Sequence, residues 1–161
     1  MVKYIGFFII SFAVYSFCAE YVRRQRRILA ELFEMVRFCA YARREITILL
    51  RPVRELCEDF QSQILSECGF FERLREGVGL VEAFKSSREA LLIEGEVSEL
   101  ILRLFSSLSS PDVSYGARES ESLLSELSDC VLQRERGSRQ NIKLARTLTA
   151  TACVGILLLL I

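Results

Sequence analysis

The sequence of 161 residues contains no histidine and no tryptophan, and its only prolines are Pro52 and Pro111. Without histidine, a catalytic triad built on histidine and a histidine-ligated metal site are excluded. The glycine-rich nucleotide-binding motifs and the G-x-S-x-G nucleophile motif are missing as well. Carboxylate pairs such as Glu58–Asp59 are typical of the solvated faces of amphipathic helices. We therefore expect no enzymatic activity, no cofactor and no metal site.

The chain also lacks an excess of charge of either sign. It has 21 lysines and arginines and 21 acidic residues, which gives a net charge of zero. A nucleic-acid-binding domain usually carries a basic patch, so nucleic acid is not an expected partner. The six cysteines include no C-x-x-C pair, which favours reduced, buried thiols over disulfides or a metal site.

Charge is absent altogether from two apolar runs, Tyr4–Ala19 and Thr147–Ile161. Fifteen helical residues extend about 22 Å, somewhat less than the roughly 30 Å of a bilayer core. A cleaved signal peptide is the first alternative for the N-terminal run, but Phe17 stands where a cleavage site needs a small residue. For the C-terminal run the alternative is burial in a globular core. We predict two retained transmembrane helices, at residues 1–22 and 147–161.

The positive charges that flank these runs indicate their orientation. Four arginines between residues 23 and 27 follow the first run, and Lys143 and Arg146 precede the second. The positive-inside tendency therefore places residues 23–146 in the cytoplasm. We expect a two-pass protein of the cell membrane with a central cytoplasmic domain.

Apolar residues at three- and four-residue spacing predict an all-α fold, with a cytoplasmic bundle of about five to six helices between the two membrane helices. The first helix is expected to continue from the membrane to Arg51, before Pro52. Its predicted buried stripe ends at Ile46, Leu49 and Leu50. Further helices are expected over residues 52–68, 70–74, 80–93 and 97–108, and from about residue 117 into the second span. A serine-rich loop is expected at 106–116 and a kink at Gly137–Ser138.

Several stretches resemble the stage III sporulation protein AB family of endospore-forming bacteria. They are Arg44-Glu45-Ile46 with Leu50-Arg51-Pro52-Val53-Arg54-Glu55-Leu56, then Phe70-Phe71-Glu72-Arg73-Leu74 with Leu80-Val81-Glu82-Ala83-Phe84, and Lys143–Leu148 through Gly155–Ile161. The resemblance covers essentially the whole chain.

The resemblance implies a function without catalysis. The family is similar to the inner-membrane platform proteins of type II secretion and type IV pilus machines. It implies a platform subunit of a secretion-like channel complex, in the mother-cell membrane that surrounds the forespore. The implied partners are the lipid bilayer, other membrane subunits of the channel and a cytoplasmic secretion-type ATPase. Self-association into a homo-oligomer stays open. The alternative is a membrane-anchored helical adaptor or signalling protein unrelated to secretion.

The residues that would contact the ATPase are expected at the end of the first helix. At 1.5 Å per residue, that helix reaches about 40 Å from the membrane by Arg51. We predict that Arg51, Arg54 and Glu55 in the following turn form the partner-binding site. The alternative is that they are ordinary solvated charges near a helix start.

Overall fold

The computed structural model describes the backbone of residues 2–110 and 113–160, and the side chains of residues 6, 9–110 and 116–155 among them. All regular secondary structure in these residues is helical, which confirms the all-α prediction. Seven α-helices occur in the described part of the chain: α1 (Val2–Thr47), α2 (Leu56–Asp59), α3 (Gln63–Glu67), α4 (Phe70–Arg75), α5 (Leu80–Ser87), α6 (Glu96–Leu108) and α7 (Val113–Leu160). Short 3-10 helices lie at Val53–Glu55 and Arg88–Ala90.

The chain divides into two compact units. Residues 28–133 form one, which we call the helical unit. Residues 1–27 and 134–161 form the other, which we call the terminal unit. The long helices α1 and α7 each contribute to both units.

Phe38, in the middle of α1, lies at the centre of the core of the helical unit. Its ring centroid is 5.3 Å from that of Phe60, 5.1 Å from Phe70 and 6.2 Å from Phe105, all in edge-to-face geometry. Aromatic pairs in this geometry add about 0.5–1.5 kcal/mol beyond the burial of their apolar area. The core therefore joins α1 to the short helices α2 to α4 and to α6.

The segment predicted as one helix over residues 52–68 is divided into a 3-10 turn and two short helices. Phe60 adopts an extended conformation, with ψ of 116°, and its side chain is buried in the core. The Ser62 hydroxyl then accepts a hydrogen bond from the Leu65 amide and caps α3. Burial of Phe60 against Phe38 thus overrides a helical pattern that the spacing alone favours.

Helices α6 and α7 approach each other at Gly116. A Cβ atom on Gly116 would lie 2.6 Å from the backbone oxygen of Ser107, closer than a carbon atom can approach that oxygen without displacement. Because that neighbour is backbone, only glycine permits this spacing. The predicted loop at 106–116 is correspondingly short, since α6 continues to Leu108 and α7 begins at Val113; residues 111 and 112 are outside the described part.

The terminal unit contains a partly buried polar contact between α1 and α7 and exposes several large apolar side chains. Ser138 donates a hydrogen bond to the Gln25 side chain at 3.3 Å. The exposed large side chains are Ile9, Ile10, Phe12, Tyr15, Phe17, Leu144, Leu148 and Val154. Helix α7 is uninterrupted at Gly137–Ser138, where the sequence predicted a kink.

Among the residues that the structure describes, no helix has a stretch long and apolar enough to cross a membrane. The two predicted spans, residues 1–22 and 147–161, are therefore not supported by the structure. Both apolar runs include positions whose side chains lie outside the described residues, at 4, 5, 7 and 8 and at 156–161.

Candidate partner-docking turn

Helix α1 ends before Pro52, in a turn that is closed by hydrogen bonds between backbone groups. Helix α1 stops at Thr47, and the Ile48 and Leu49 amides both bond to the Arg44 carbonyl, at 3.0 and 3.3 Å. Leu50 then adopts a left-handed conformation with φ of 52°. Such a conformation costs a non-glycine residue about 1–2 kcal/mol. The sequence placed the end of the helix at Arg51, four residues too late.

Arg51, the first residue predicted to bind a partner, is held inside its own turn. Its amide donates to the Glu45 carbonyl at 3.0 Å, and its guanidinium donates to the Asp59 carboxylate at 2.6 Å. The same guanidinium nitrogen lies 3.5 Å from the Glu45 carboxylate, which is only 4% exposed. The hydrogen bond with Asp59 and the negative charge of Glu45 raise the pKa of Arg51. Arg51 therefore positions the turn.

Two aromatic residues, Tyr41 and Phe60, lie next to the cluster of Arg51, Asp59 and Glu45. The Tyr41 ring lies 5.2 Å from the Phe60 ring, and the Arg37 guanidinium stacks over Phe60 at 4.7 Å from its centroid. Burial, and then the carboxylates of Glu45 and Asp59, raise the pKa of Tyr41, while Arg51 opposes them. Arg37 also donates to the Gln61 carbonyl at 2.7 Å, which fixes the extended segment after α2.

Arg54 and Glu55, the other two predicted contact residues, lie in the 3-10 helix Val53–Glu55 and are exposed. Pro52, with φ of −66°, precedes this helix, and its carbonyl accepts a hydrogen bond from the Glu55 amide at 3.0 Å. Their side chains make no ion pair or hydrogen bond with the described residues. All three residues are thus exposed, but Arg51 is paired within its own turn, whereas Arg54 and Glu55 have no partner among the described residues.

The sequence missed the apolar part of this surface. It assigned Leu49 and Leu50 to the buried stripe, but Ile48, Leu49 and Leu50 are 69%, 49% and 70% exposed. This part of the prediction is wrong, because the helix ends before these residues and the turn directs them outward. We call Ile48, Leu49 and Leu50 the apolar tip. Pro52 restricts only the residue before it, so the sequence contains no signal that α1 would end as early as Thr47.

A cavity of about 210 Å³ lies beside the apolar tip. Leu50 and Ile46 line it on one side, and Leu108 and Ala117 on the other. The other residues of its described lining are Arg51, Gly116 and the hydroxyl-bearing Thr47, Ser107 and Ser110. Its lining can accept an apolar side chain.

No group of three or more metal-ligating side chains occurs in the part of the chain that the structure describes. The six cysteines are unpaired, and Cys39 and Cys57 are buried. Burial raises the pKa of the Cys39 thiol far above its usual range, and that of Cys57 as well, so these thiols stay protonated.

The comparisons with known proteins give one result over the whole chain. The sequence model of stage III sporulation protein AB matches residues 3–161. No curated protein and no solved structure matches the chain. The motifs at 44–56, 70–84 and 143–161 all fall within the matched range. The chain belongs to the stage III sporulation protein AB family.

Proposed function

We propose that this protein is a non-catalytic platform subunit of a secretion-like channel complex required for endospore formation, and that it docks a cytoplasmic secretion-type ATPase. The observation that carries the proposal is membership of the family over residues 3–161, which gives the chain a role in stage III of sporulation. The platform and docking roles go beyond that membership.

The docking face in this proposal is the turn at the end of α1. The apolar tip offers three consecutive exposed aliphatic side chains, and Arg54 and Glu55 provide unpaired charges beside them. An apolar centre with a charged rim is the usual composition of a protein interface. Arg51 contributes by holding the turn through Asp59 and Glu45.

The terminal unit has the membrane role in this proposal. The described parts of its two apolar runs expose aliphatic and aromatic side chains, with Phe17 79% exposed, and water solvates such a surface poorly. A lipid bilayer and other membrane subunits of the channel are suitable partners for it. The apolar runs would form two spans in the mother-cell membrane around the forespore, with the helical unit in the cytoplasm.

The docking proposal is tested by binding of the ATPase from the same channel complex to the purified full-length protein. We expect the wild-type protein to bind it, and the double variant Ile48→Glu/Leu49→Glu to bind at least tenfold more weakly. Leu132→Glu is the matched control, because Leu132 is an exposed leucine on α7. Absence of binding by the wild-type protein would refute docking. Equal binding by the tip variant and the control would show that the apolar tip does not take part in docking.

A further inference from the structure

The terminal unit carries a large positive charge that the net charge of zero conceals. Its 10 basic and 2 acidic residues give it a charge of +8, whereas the helical unit, with 11 basic and 19 acidic residues, has a charge of −8. Nine of the basic residues lie next to the two apolar runs, and all nine side chains are exposed. We call these nine residues the basic band: Arg23, Arg24, Arg26, Arg27, Arg134, Arg136, Arg139, Lys143 and Arg146. A surface with this much charge of one sign attracts an anionic partner.

Helices α1 and α7 bring the two halves of the basic band to the same level. Gln25 of α1 accepts a hydrogen bond from Ser138 of α7 at 3.3 Å. At the helical rise, the four arginines of α1 lie within about 3 Å of this level along the helix axis, and so do Arg136 and Arg139. The cations of both helices therefore form one band instead of two separate clusters.

Four cations of α7 share one face of the helix. Arg136, Arg139, Lys143 and Arg146 follow one another at steps of three and four residues. Glu135, the only acidic residue in the part of α7 that belongs to the terminal unit, pairs with Arg139 at 2.6 Å. The other three cations of this face make no ion pair or hydrogen bond with the described residues. Like charges at this spacing repel each other, and a bound anion would relieve the repulsion.

Exposed leucines beside these cations indicate which kind of anion fits. Leu144 is 61% exposed and Leu148 is 68% exposed, on the same turns of α7 as Lys143 and Arg146. A soluble polyanion would pair with the cations and leave the leucines in water. A phospholipid offers a phosphate to the cations and acyl chains to the leucines. Clusters of lysine and arginine directly beside an apolar helix are typical of sites for anionic headgroups.

We propose that the basic band binds the headgroups of anionic phospholipids. The face formed by Arg136, Arg139, Lys143 and Arg146 contacts the phosphates, and the adjoining apolar run contacts the acyl chains. The helical unit has a net negative charge, so the attraction to an anionic membrane surface comes from the basic band. This inference rests on the membrane role of the terminal unit in the proposed function, and it adds the class of lipid that the protein selects.

Native mass spectrometry of the full-length protein, purified in a neutral detergent, tests the inference. The probes are phosphatidylglycerol and phosphatidylcholine with identical acyl chains, and we expect the wild-type protein to retain the first about tenfold more than the second. The test variant replaces four cations of the basic band: Arg136→Gln, Arg139→Gln, Lys143→Gln and Arg146→Gln. We expect it to retain the two lipids equally.

The matched control removes the same number of exposed cations from the helical unit: Arg73→Gln, Arg75→Gln, Arg88→Gln and Arg103→Gln. We expect it to keep the preference of the wild-type protein. A second variant, with lysine in place of Arg136, Arg139 and Arg146, keeps the charge and should keep the preference as well. Loss of the preference in the lysine variant would contradict an effect of charge.

The outcomes separate this inference from the membrane role on which it rests. Equal retention of both lipids by the wild-type protein, or loss of the preference in the control, refutes selection by the basic band and leaves the membrane role standing. Retention of neither lipid refutes the membrane role as well. If the test variant dissociates an oligomer but still prefers phosphatidylglycerol, the basic band contacts a second copy of the chain and the inference is wrong.

Discussion

Phe38 is the residue on which the helical unit depends most. It is fully buried, and its ring contacts those of Phe60 after α2, Phe70 in α4 and Phe105 in α6. We expect Phe38→Ala to lower the free energy of unfolding by about 3–5 kcal/mol, because it leaves a cavity at the centre of the core. Chemical denaturation measures the loss. The control Phe33→Ala, at an exposed position of α1, should change the value by less than about 0.5 kcal/mol.

Two glycines of α7 give predictions of opposite sign. Gly116→Ala forces a Cβ atom against the Ser107 carbonyl, and we expect a loss of about 1–3 kcal/mol as α6 and α7 shift apart. Gly137→Ala meets nothing within 4 Å and should stabilise the helix by up to about 1 kcal/mol. Denaturation of both variants checks the pair. A neutral Gly116→Ala would contradict the close approach of the two helices.

Alkaline pH should destabilise the fold. Burial raises the pKa of Cys39, Cys57 and Cys68, and burial with nearby carboxylates raises that of Tyr41. The unfolded chain therefore loses these protons first, and the free energy of unfolding falls as the pH rises through their usual pKa range of about 8.5 to 10. Denaturation at pH 7 and at pH 10 measures the effect. Equal stability at the two values would contradict the burial of these groups.

At the scale of single residues, the sequence does not predict which partners the charged side chains contact. Glu31 is a charged residue between apolar positions of α1, yet it is buried and accepts a hydrogen bond from the Leu92 amide at 2.6 Å. Arg51 was predicted as an exposed charge, and it is exposed, but the sequence did not show its ion pair with Asp59, eight residues along the chain. In both cases the partner comes from another segment, and spacing along one helix carries no information about it.

The joint between α3 and α4 is the element whose sequence signal was clearest. Gly69 has φ of 75°, the left-handed conformation in which a glycine commonly follows the end of a helix. We expect Gly69→Ala to cost about 1–2 kcal/mol, since alanine disfavours this conformation although space for its Cβ exists. Gly79→Ala, at φ of −66°, is the control and should cost less. Similar losses in both variants would show that backbone conformation is not the cause.

Helix α6 and the 52–68 segment show what determines whether an element can be predicted. In α6 one face of a long helix packs on the core, and six apolar residues at three- and four-residue spacing are all buried: Val97, Leu100, Ile101, Leu104, Phe105 and Leu108. In the 52–68 segment, the backbone of Phe60 is extended instead of helical, and its ring packs against Phe38. A 3-10 helix follows Pro52. Regular spacing of apolar residues predicts a helix reliably where one face of the helix is buried along its whole length. It fails where the burial of one large side chain determines the backbone conformation.

At the scale of the whole molecule, the sequence predicts the fold class and the family, but only part of the proposed docking surface. The loose motifs around Pro52 and Phe70 were sufficient for the family, which the match over residues 3–161 shows. The charges of the 51–55 turn were visible in the sequence, but the apolar tip was not. Its exposure depends on where α1 stops and on the left-handed Leu50, and neither follows from hydrophobic spacing.

The central claim is that the helical unit faces the cytoplasm, where an ATPase can reach the apolar tip. The most direct test is membrane topology in a bacterial host, with reporter fusions after Arg139 and after Ile161. The account predicts a cytoplasmic signal at Arg139 and an external signal at 161, with the protein in the membrane fraction. An external signal at Arg139 would separate the helical unit from any cytoplasmic ATPase and contradict the platform function.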